Sequence, residues 1–166
     1  MKALILYDSE FGNTEKVALA IHAALGALEG VSVHAVRAGD ARPDQFEGLN
    51  LLIAGAPTQR FRTTPAMDSL LKSLPAGSLK GVRVAAFDTR LTMEEINQTP
   101  VLAFFVKLFG PNAYAARFIA NQLKKKGGQW TGSQEGFYVE GMKGPLVSGE
   151  LERAVGWGKQ IVTGPQ

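Results

Sequence analysis

The chain has 166 residues, of which 45% are hydrophobic and 20% charged, a balance typical of a globular protein rather than a disordered one. It contains no cysteine and only two histidines, which excludes disulfides, thiolate metal sites and a cysteine nucleophile and argues against a histidine metal site. The formal charge is +3, and the one basic run, at 124–126, suits the C-terminal end of a predicted helix, so we expect no nucleic-acid binding. Met1 and Lys2 lead directly into a strand pattern, which leaves no room for a signal peptide and favours a cytoplasmic location.

The first predicted elements are a strand, a short polar turn and a helix. Residues 3–7 form an apolar run, Asp8 follows, and the turn at 9–14 (SEFGNT) leads into a segment whose apolar residues recur with helical spacing. Such a turn offers hydroxyl and backbone N–H groups, and the helix N-terminus adds partial positive charge. The pattern predicts a site for an anionic ligand. On the turn alone, an ordinary helix cap in which Ser9 or Asn13 satisfies free N–H groups is an equal alternative.

Four further strands alternate with three further helices. The strands are predicted at 31–36, 51–55, 82–87 and 136–139, and two of them are nearly continuous apolar runs, typical of strands covered on both faces. The helices are predicted to begin at Pro65 with Thr64 as N-cap, to run from about Tyr114 to Lys126, and to begin near Gly149. This alternation predicts an α/β fold of three layers, doubly wound, with a five-stranded parallel sheet in the order 2-1-3-4-5. We expect a single domain over residues 1–166, with loops at 8–14, at 56–64 and from 88–92 onward meeting at one site.

Residues 91–112 are longer than an ordinary connection, which has about 2–6 residues. Residues 92–95 favour the start of a helix, and Pro100 would break or restart it. The segment is expected to be an extended loop or an extra helix, and its part at 101–109 is strongly apolar apart from Lys107 but too short to span a bilayer. We expect no transmembrane segment. Packing on the core of the domain, a lid over the ligand, a homodimer interface and a surface for a quinone or a membrane all stay open for 101–109.

The turn at 9–14 has one glycine, Gly12, and lacks the pattern of a dinucleotide-binding turn and the Gly-Lys-Ser/Thr ending of a Walker A loop. It resembles the phosphate loop of flavodoxins and flavodoxin-like FMN proteins, S-x-[TFY]-G-N-T. The resemblance extends along nearly the whole chain, through GAPT at 55–58, AFDTR at 86–90, EGFYV at 135–139, GPL at 144–146 and GELERA at 149–154. It implies a flavodoxin-like fold with FMN bound without covalent attachment.

The resemblance also implies which residues bind FMN. The turn would hold the phosphate with Ser9, Glu10, Phe11, Gly12, Asn13 and Thr14. One side of the isoalloxazine would be lined by Pro57, Thr58, Gln59, Arg60 and Phe61. The other side would be lined by Asp88, Thr89 and Arg90. No catalytic residue and no metal ligand is predicted. The implied function is that of an FMN-binding redox carrier, which exchanges electrons with a partner protein or a small donor or acceptor. A small FMN-dependent NAD(P)H/quinone-type reductase and a binding module with weak or no FMN are the alternatives.

The sequence departs from the family pattern in ways that affect the site. Phe11 replaces a hydroxyl residue found in many flavodoxins, which removes one hydrogen bond worth about 1.5–3 kcal/mol. The chain is basic, whereas electron-carrying flavodoxins are generally acidic. The second loop has no glycine at 59–62, and because a residue with a Cβ resists positive φ, we expect a weaker peptide flip and less stabilisation of the one-electron-reduced flavin. Arg60 or Arg90 would raise the potential of full reduction if it lay near the flavin N1–C2=O edge, although solvent exposure or pairing with Asp88 or Glu94 is slightly favoured.

Overall fold

Strands and helices alternate along the chain. The computed structural model describes residues 1–164, apart from the side chains at positions 132 and 133, so the last two residues of the predicted domain lie outside the described residues. The strands are β1 (Lys2–Tyr7), β2 (Ser32–Arg37), β3 (Leu51–Pro57), β4 (Arg83–Leu91) and β5 (Gln129–Val139). The α-helices are α1 (Asn13–Gly26), α2 (Pro65–Ser73), α3 (Met93–Asn97), α4 (Pro100–Phe109), α5 (Ala115–Lys125) and α6 (Glu150–Thr163). Short 3₁₀ helices lie at Ala38–Asp40, Pro43–Phe46 and Gly110–Ala113.

The strands form one parallel sheet in the order β2-β1-β3-β4-β5. This confirms the predicted doubly wound, flavodoxin-like α/β fold. Because all strands run the same way, their carboxyl ends lie along one edge, and the strand order reverses between β1 and β3. That switch point is where open α/β sheets bind ligands.

Both faces of the sheet are covered, which explains why the inner strands are apolar at nearly every position. In β1, Leu4 and Leu6 pack with residues of α2 and α5, including Ile119. The alternate residue Ile5 points to the other face and belongs to the cluster that includes Trp157 of α6 and residues of α1. Alternate side chains of a strand therefore pack into two separate cores, one on each side of the sheet.

β4 and β5 are much longer than predicted, and β1 and β3 are longer by one and two residues. β4 continues to Leu91 instead of ending at Phe87, because residues 88–91 pair with residues 136–139 of β5. β5 starts at Gln129, and its register with β4 shifts between Val84 and Ala86. The prediction of a loop from residue 88 onward is therefore wrong, since residues 88–90 belong to a strand and have defined backbone partners.

Residues 91–112 contain two helices and a 3₁₀ turn. Thr92 Oγ1 accepts from Glu95 N (3.2 Å) and Glu95 Oε2 accepts from Thr92 N (3.3 Å), a capping box that starts α3. Pro100 then starts α4 in the first turn, where a missing N–H is tolerated. The segment thus contains an extra helix, one of its two predicted forms, and no residue of α4 is buried or belongs to either core cluster of the domain. Across residues 1–164, no helix has both the length and the apolarity needed to cross a membrane.

Candidate cofactor-binding site

The carboxyl ends of β1, β3 and β4 bring the three predicted groups of site residues together. The turn after β1 meets β4 where the hydroxyls of Thr14 and Thr89 form a buried hydrogen bond of 2.8 Å. The loop after β3 meets β4 where Thr58 N donates to the carbonyl of Thr89 (2.9 Å). Gln59 Nε2 also donates to the carboxylate of Glu10, which joins the β3 loop to the turn. The three groups are therefore in direct contact with one another.

The N-terminus of α1 has no side-chain cap. Its N-cap residue is Gly12, with φ 85°, a left-handed conformation that glycine adopts without a Cβ penalty. Ser9 Oγ accepts from Gly12 N (3.0 Å), just before the helix, and Asn13 Nδ2 donates to the carbonyl of Lys143 (2.9 Å), so neither side chain accepts from the first N–H groups of α1. The ordinary helix cap is thus not the arrangement here. The first N–H groups of the helix are available to an anion.

Two basic residues that the sequence did not assign lie at this turn. Arg37 ends β2 beside the end of β1, and its guanidinium contacts Asp8 Oδ1 (3.3 Å) and the carbonyl of Ser9. The ammonium of Lys143 lies 5.9 Å from the centre of the Phe11 ring. The turn has no cation of its own in sequence, but the fold supplies two. The position of Arg37 at the end of the strand beside β1 is the signal that could have found it.

Asp88 is fully buried, and both of its carboxylate oxygens have partners. Oδ1 accepts from Arg90 Nε (2.5 Å), while Oδ2 accepts from Arg90 Nη2 (2.8 Å) and from Ala116 N (2.8 Å). Burial raises the pKa of Asp88 above its ordinary value, against the opposing effect of the Arg90 guanidinium. That guanidinium lies over the ring of Tyr114, 3.8 Å from its centre. Pairing of Arg90 with Asp88, the alternative favoured from the sequence, is therefore the observed arrangement.

Thr58 and Asp88 also provide acceptors for the first N–H groups of α5. Thr58 Oγ1 accepts from Ala115 N (2.9 Å), and Asp88 Oδ2 accepts from Ala116 N. The local N-cap residue, Tyr114, makes no side-chain cap. Two predicted site residues that are far from α5 in the sequence thus accept the hydrogen bonds at its start. No local sequence pattern predicts this arrangement.

The β3 loop closes in a tight turn with unusual backbone angles. Gln59 and Arg62 exchange two backbone hydrogen bonds of 2.8 Å. Between them, Arg60 has φ 46° and Phe61 has φ 63°. Two residues with a Cβ thus already have positive φ, so the absence of glycine at 59–62 does not prevent that conformation in this loop. Weaker stabilisation of the one-electron-reduced flavin stays a prediction.

The remaining predicted residues form the rim of the site. Pro57 is the last residue of β3, and the ring of Phe61 contacts that of Phe105 in α4, with 5.5 Å between their centres. Glu10 and Phe11 are exposed, the latter to 47%. Phe11 therefore lies at the surface of the turn, where it leaves the backbone N–H groups accessible.

Comparison with known proteins identifies the family. The flavodoxin family model matches residues 5–157. The chain belongs to the flavodoxin family. Flavodoxins bind FMN and transfer electrons to redox partners, so the predicted cofactor and the predicted electron-transfer role are confirmed.

Solved structures share the fold at low sequence identity. Oxidised flavodoxin 1 from Bacillus cereus is 16% identical with a TM-score of 0.75, and the match covers 100% of both chains. A flavodoxin from the domain Archaea is 20% identical with a TM-score of 0.69, covering 98% of this chain and 97% of that one. Rubredoxin:oxygen oxidoreductase from Desulfovibrio gigas is 17% identical with a TM-score of 0.71, covering 98% of this chain but 35% of that one. At such identities these structures support the fold alone, and no curated protein sequence matches the chain.

Proposed function

We propose that residues 9–14 hold the phosphate of FMN in an electron-carrying flavodoxin. The observation that carries this proposal is the N-terminus of α1, which follows Gly12 with φ 85° and has no side-chain cap, since Ser9 accepts only from Gly12 N and Asn13 bonds to Lys143. The free N–H groups carry the partial positive charge of the helix, and Arg37 adds a full charge beside the turn. A dianionic phosphate fits this set of donors.

We further propose that residues 57–61 and 88–90 border the isoalloxazine of FMN. When bound, FMN supplies the reversible uptake of electrons; the chain binds it, orients it and limits its contact with water. The Thr14–Thr89 hydrogen bond fixes the turn against β4. Asp88 is a positioning residue in this proposal, because it is buried and acts through Arg90 and the start of α5. We propose the backbone of the β3 loop and the side chain of Phe61 as the groups nearest the ring system.

We propose that the chain exchanges electrons with a redox partner protein or with a small donor or acceptor. We also propose a cytoplasmic location, which the absence of cysteine supports. The carrier and the reductase differ in one measurement. A carrier loaded with FMN needs a partner to turn over, whereas a reductase oxidises NAD(P)H and reduces a quinone without one. The test is therefore NAD(P)H oxidation by the purified, FMN-loaded chain, and steady turnover with quinone alone would replace the carrier by the reductase.

FMN binding at the turn is tested by titration with FMN and with riboflavin, which lacks the phosphate. We expect Gly12→Ala to weaken FMN binding about 5- to 30-fold while riboflavin binding stays nearly unchanged. The reason is that a Cβ disfavours the positive φ by about 1–2 kcal/mol, so the free turn leaves this conformation and phosphate binding must restore it. The matched control is Gly30→Ala, since Gly30 has φ 74° at the start of β2, at the opposite edge of the sheet, and as at Gly12 an added Cβ has no atom within 4 Å.

The same titration can contradict the proposal. FMN at one hundred times its dissociation constant should stabilise the fold by about 2.7 kcal/mol, visible as a higher melting temperature. A melting temperature that does not respond to FMN would identify a binding module without cofactor. Equal losses of FMN binding in Gly12→Ala and Gly30→Ala would place the phosphate elsewhere.

A further inference from the structure

α4 presents an apolar surface that no other described part of the chain covers. Among its ten residues, Lys107 is the one charged residue. Val101, Phe104 and Leu108 follow the spacing of a single helix face and are 63%, 62% and 62% exposed; we call these three residues the outer face of α4. A helix that is apolar on all sides is ordinarily buried, and no residue of this one is. The outer face therefore has the composition of an interior but lies at the surface.

The other side of α4 is attached to the domain by aromatic rings. Phe61 contacts Phe105 at 5.5 Å and Phe109 at 5.9 Å between ring centres, and Phe105 and Phe109 stack with an interplanar angle of 7°. Toward α3, an apolar groove lined by Met93 and Ile96 continues the surface. The outer face is thus held in a fixed orientation on the domain.

Basic residues lie on α4 and next to the residue whose ring contacts it, and we call them the border of the outer face. Lys107 lies within α4, and Arg60 and Arg62 stand on either side of Phe61, whose ring touches the helix. All three are exposed and make no ion pair with any residue from 1 to 164. The exposed carboxylate of Glu94 on α3 opposes them. The border therefore carries a net positive charge, and so does the whole chain, at +3. Such a surface complements an anionic partner.

A second copy of the chain is a poor occupant of this surface. A helix of this length extends about 15 Å, so its outer face offers on the order of 400 Å², against roughly 800 Å² per partner in a standard interface. A twofold contact through so short a face would also bring Lys107 of one copy toward Lys107 of the other. Like charges at close range oppose such a contact.

A partner protein is also less suitable than lipid. Protein interfaces carry about one hydrogen bond per 100–200 Å², and the outer face and its border within α4 offer one polar side chain, that of Lys107. Acyl chains need no hydrogen bonds, and lipid phosphates accept contacts from arginine and lysine in many geometries. A ten-residue apolar helix with basic neighbours is too short to cross a bilayer but suits its surface region.

We propose that the outer face of α4 inserts into the surface of an anionic lipid membrane, with Arg62 and Lys107 at the lipid phosphates. Because Phe61 belongs to the β3 loop, insertion would also bring the candidate cofactor site toward the membrane. The membrane contact itself does not depend on FMN, so it can fail or succeed separately from the proposed function.

The test is sedimentation of the full-length, FMN-loaded chain with vesicles of phosphatidylcholine and phosphatidylglycerol, compared with vesicles of phosphatidylcholine alone. We expect binding to the mixed vesicles to be at least tenfold tighter. The double variant Phe104→Ser, Leu108→Ser should lose more than about tenfold of this binding, because it removes the inserted apolar groups. The variant Arg62→Gln, Lys107→Gln should lose about fivefold per residue on mixed vesicles and almost nothing on phosphatidylcholine.

The matched control is Leu19→Ser, Leu151→Ser, which removes exposed apolar side chains from α1 and α6 and should leave vesicle binding unchanged. Circular dichroism and flavin absorbance check that each variant folds. In a second measurement, the fluorescence added by Phe104→Trp should shift to shorter wavelength with mixed vesicles and be quenched by brominated lipid. Absence of vesicle binding, or equal losses in the control, would overturn the proposal. So would a dimer in sedimentation that becomes a monomer in the Phe104, Leu108 variant, or capture of an acidic protein through this face without vesicle binding.

Discussion

Arg60 and Phe61 hold left-handed backbone conformations that a residue with a Cβ ordinarily avoids at a cost of about 1–2 kcal/mol each. The surrounding contacts offset this cost. The two hydrogen bonds between Gln59 and Arg62 close the turn, and the ring of Phe61 packs on α4. Conformations of this kind persist where the surroundings impose them, and they cluster at ligand sites.

Relief of this strain is measurable at Arg60. Arg60→Gly should raise the free energy of unfolding by about 0.5–1 kcal/mol, because the relief of positive φ exceeds the entropy that glycine adds to the unfolded chain. Urea denaturation measures the change. Arg62→Gly is the control, since Arg62 is also exposed but does not have positive φ, and it should lower stability. A loss of stability in Arg60→Gly comparable to that control would mean that the turn is not strained.

The buried carboxyl of Asp88 makes stability depend on pH. Because burial raises its folded-state pKa above the ordinary 3.8, the folded protein binds this proton more tightly than the unfolded chain does. Its contribution is therefore fully present below pH 3.8 and is lost as pH rises through the folded pKa. The free energy of unfolding of the wild type minus that of Asp88→Asn should accordingly fall as pH rises above this value. Denaturation of both proteins over a pH series measures this difference. A difference that rises with pH would show that the Arg90 pair outweighs burial.

At the scale of elements, the sequence predicts the order and type of the strands and main helices because apolar periodicity and local caps are short-range signals. The start of α2 is an example, where Thr64 Oγ1 accepts from Met67 N and Pro65 follows as predicted. The end of β4 could not be predicted in this way. Residues 88–90 are polar and resemble a loop, yet they pair with β5, which lies more than forty residues later in the chain.

One side chain of the β3 loop, Phe61, contacts α4 through two aromatic rings. Phe61→Ala removes ring contacts at 5.5 Å and 5.9 Å, each worth about 0.5–1.5 kcal/mol beyond area burial, so amide hydrogens of α4 should exchange faster by about 5- to 150-fold. Hydrogen exchange read by mass spectrometry measures this. Val101→Ala is the control, because Val101 lies on the outer face and should leave exchange in α4 nearly unchanged. Equal protection in wild type and Phe61→Ala would mean that other contacts hold the helix.

For the whole molecule, we expect the basic residues of the border to affect long-range encounters with charged electron acceptors. Arg60 and Arg62 flank Phe61 in the β3 loop, Lys107 lies on the helix that Phe61 contacts, and the Debye length falls to about 10 Å at 0.1 M salt. Reduction of anionic ferricyanide by the FMN-loaded, reduced chain should therefore slow severalfold as salt is added, while reduction of cationic hexaammineruthenium should accelerate. Stopped-flow absorbance measures both rates. Arg62→Gln, Lys107→Gln should flatten both dependences, and an unchanged slope would place the electron exit away from this border.

The sequence locates the candidate site from three short motifs, because parallel strands bring their carboxyl ends to one edge. What it misses are contacts between residues far apart in the chain. Arg37 reaches the turn at 8–9 from the neighbouring strand, and Lys143 reaches Phe11 from the loop after β5. The sequence also left the environment of 101–109 open, since an apolar run is normally evidence for a core and its exposure depends on contacts that no local pattern shows.

The start of α5 depends on strands that must pair before this end of the helix can form. Its first N–H groups bond to Thr58, 57 residues earlier, and to Asp88, 28 residues earlier. Neither acceptor is in place until β3 and β4 have paired and aligned their ends. The first turn of α5 is therefore completed by the sheet rather than by its own sequence, which makes helix formation at this end cooperative with the closing of the central strands.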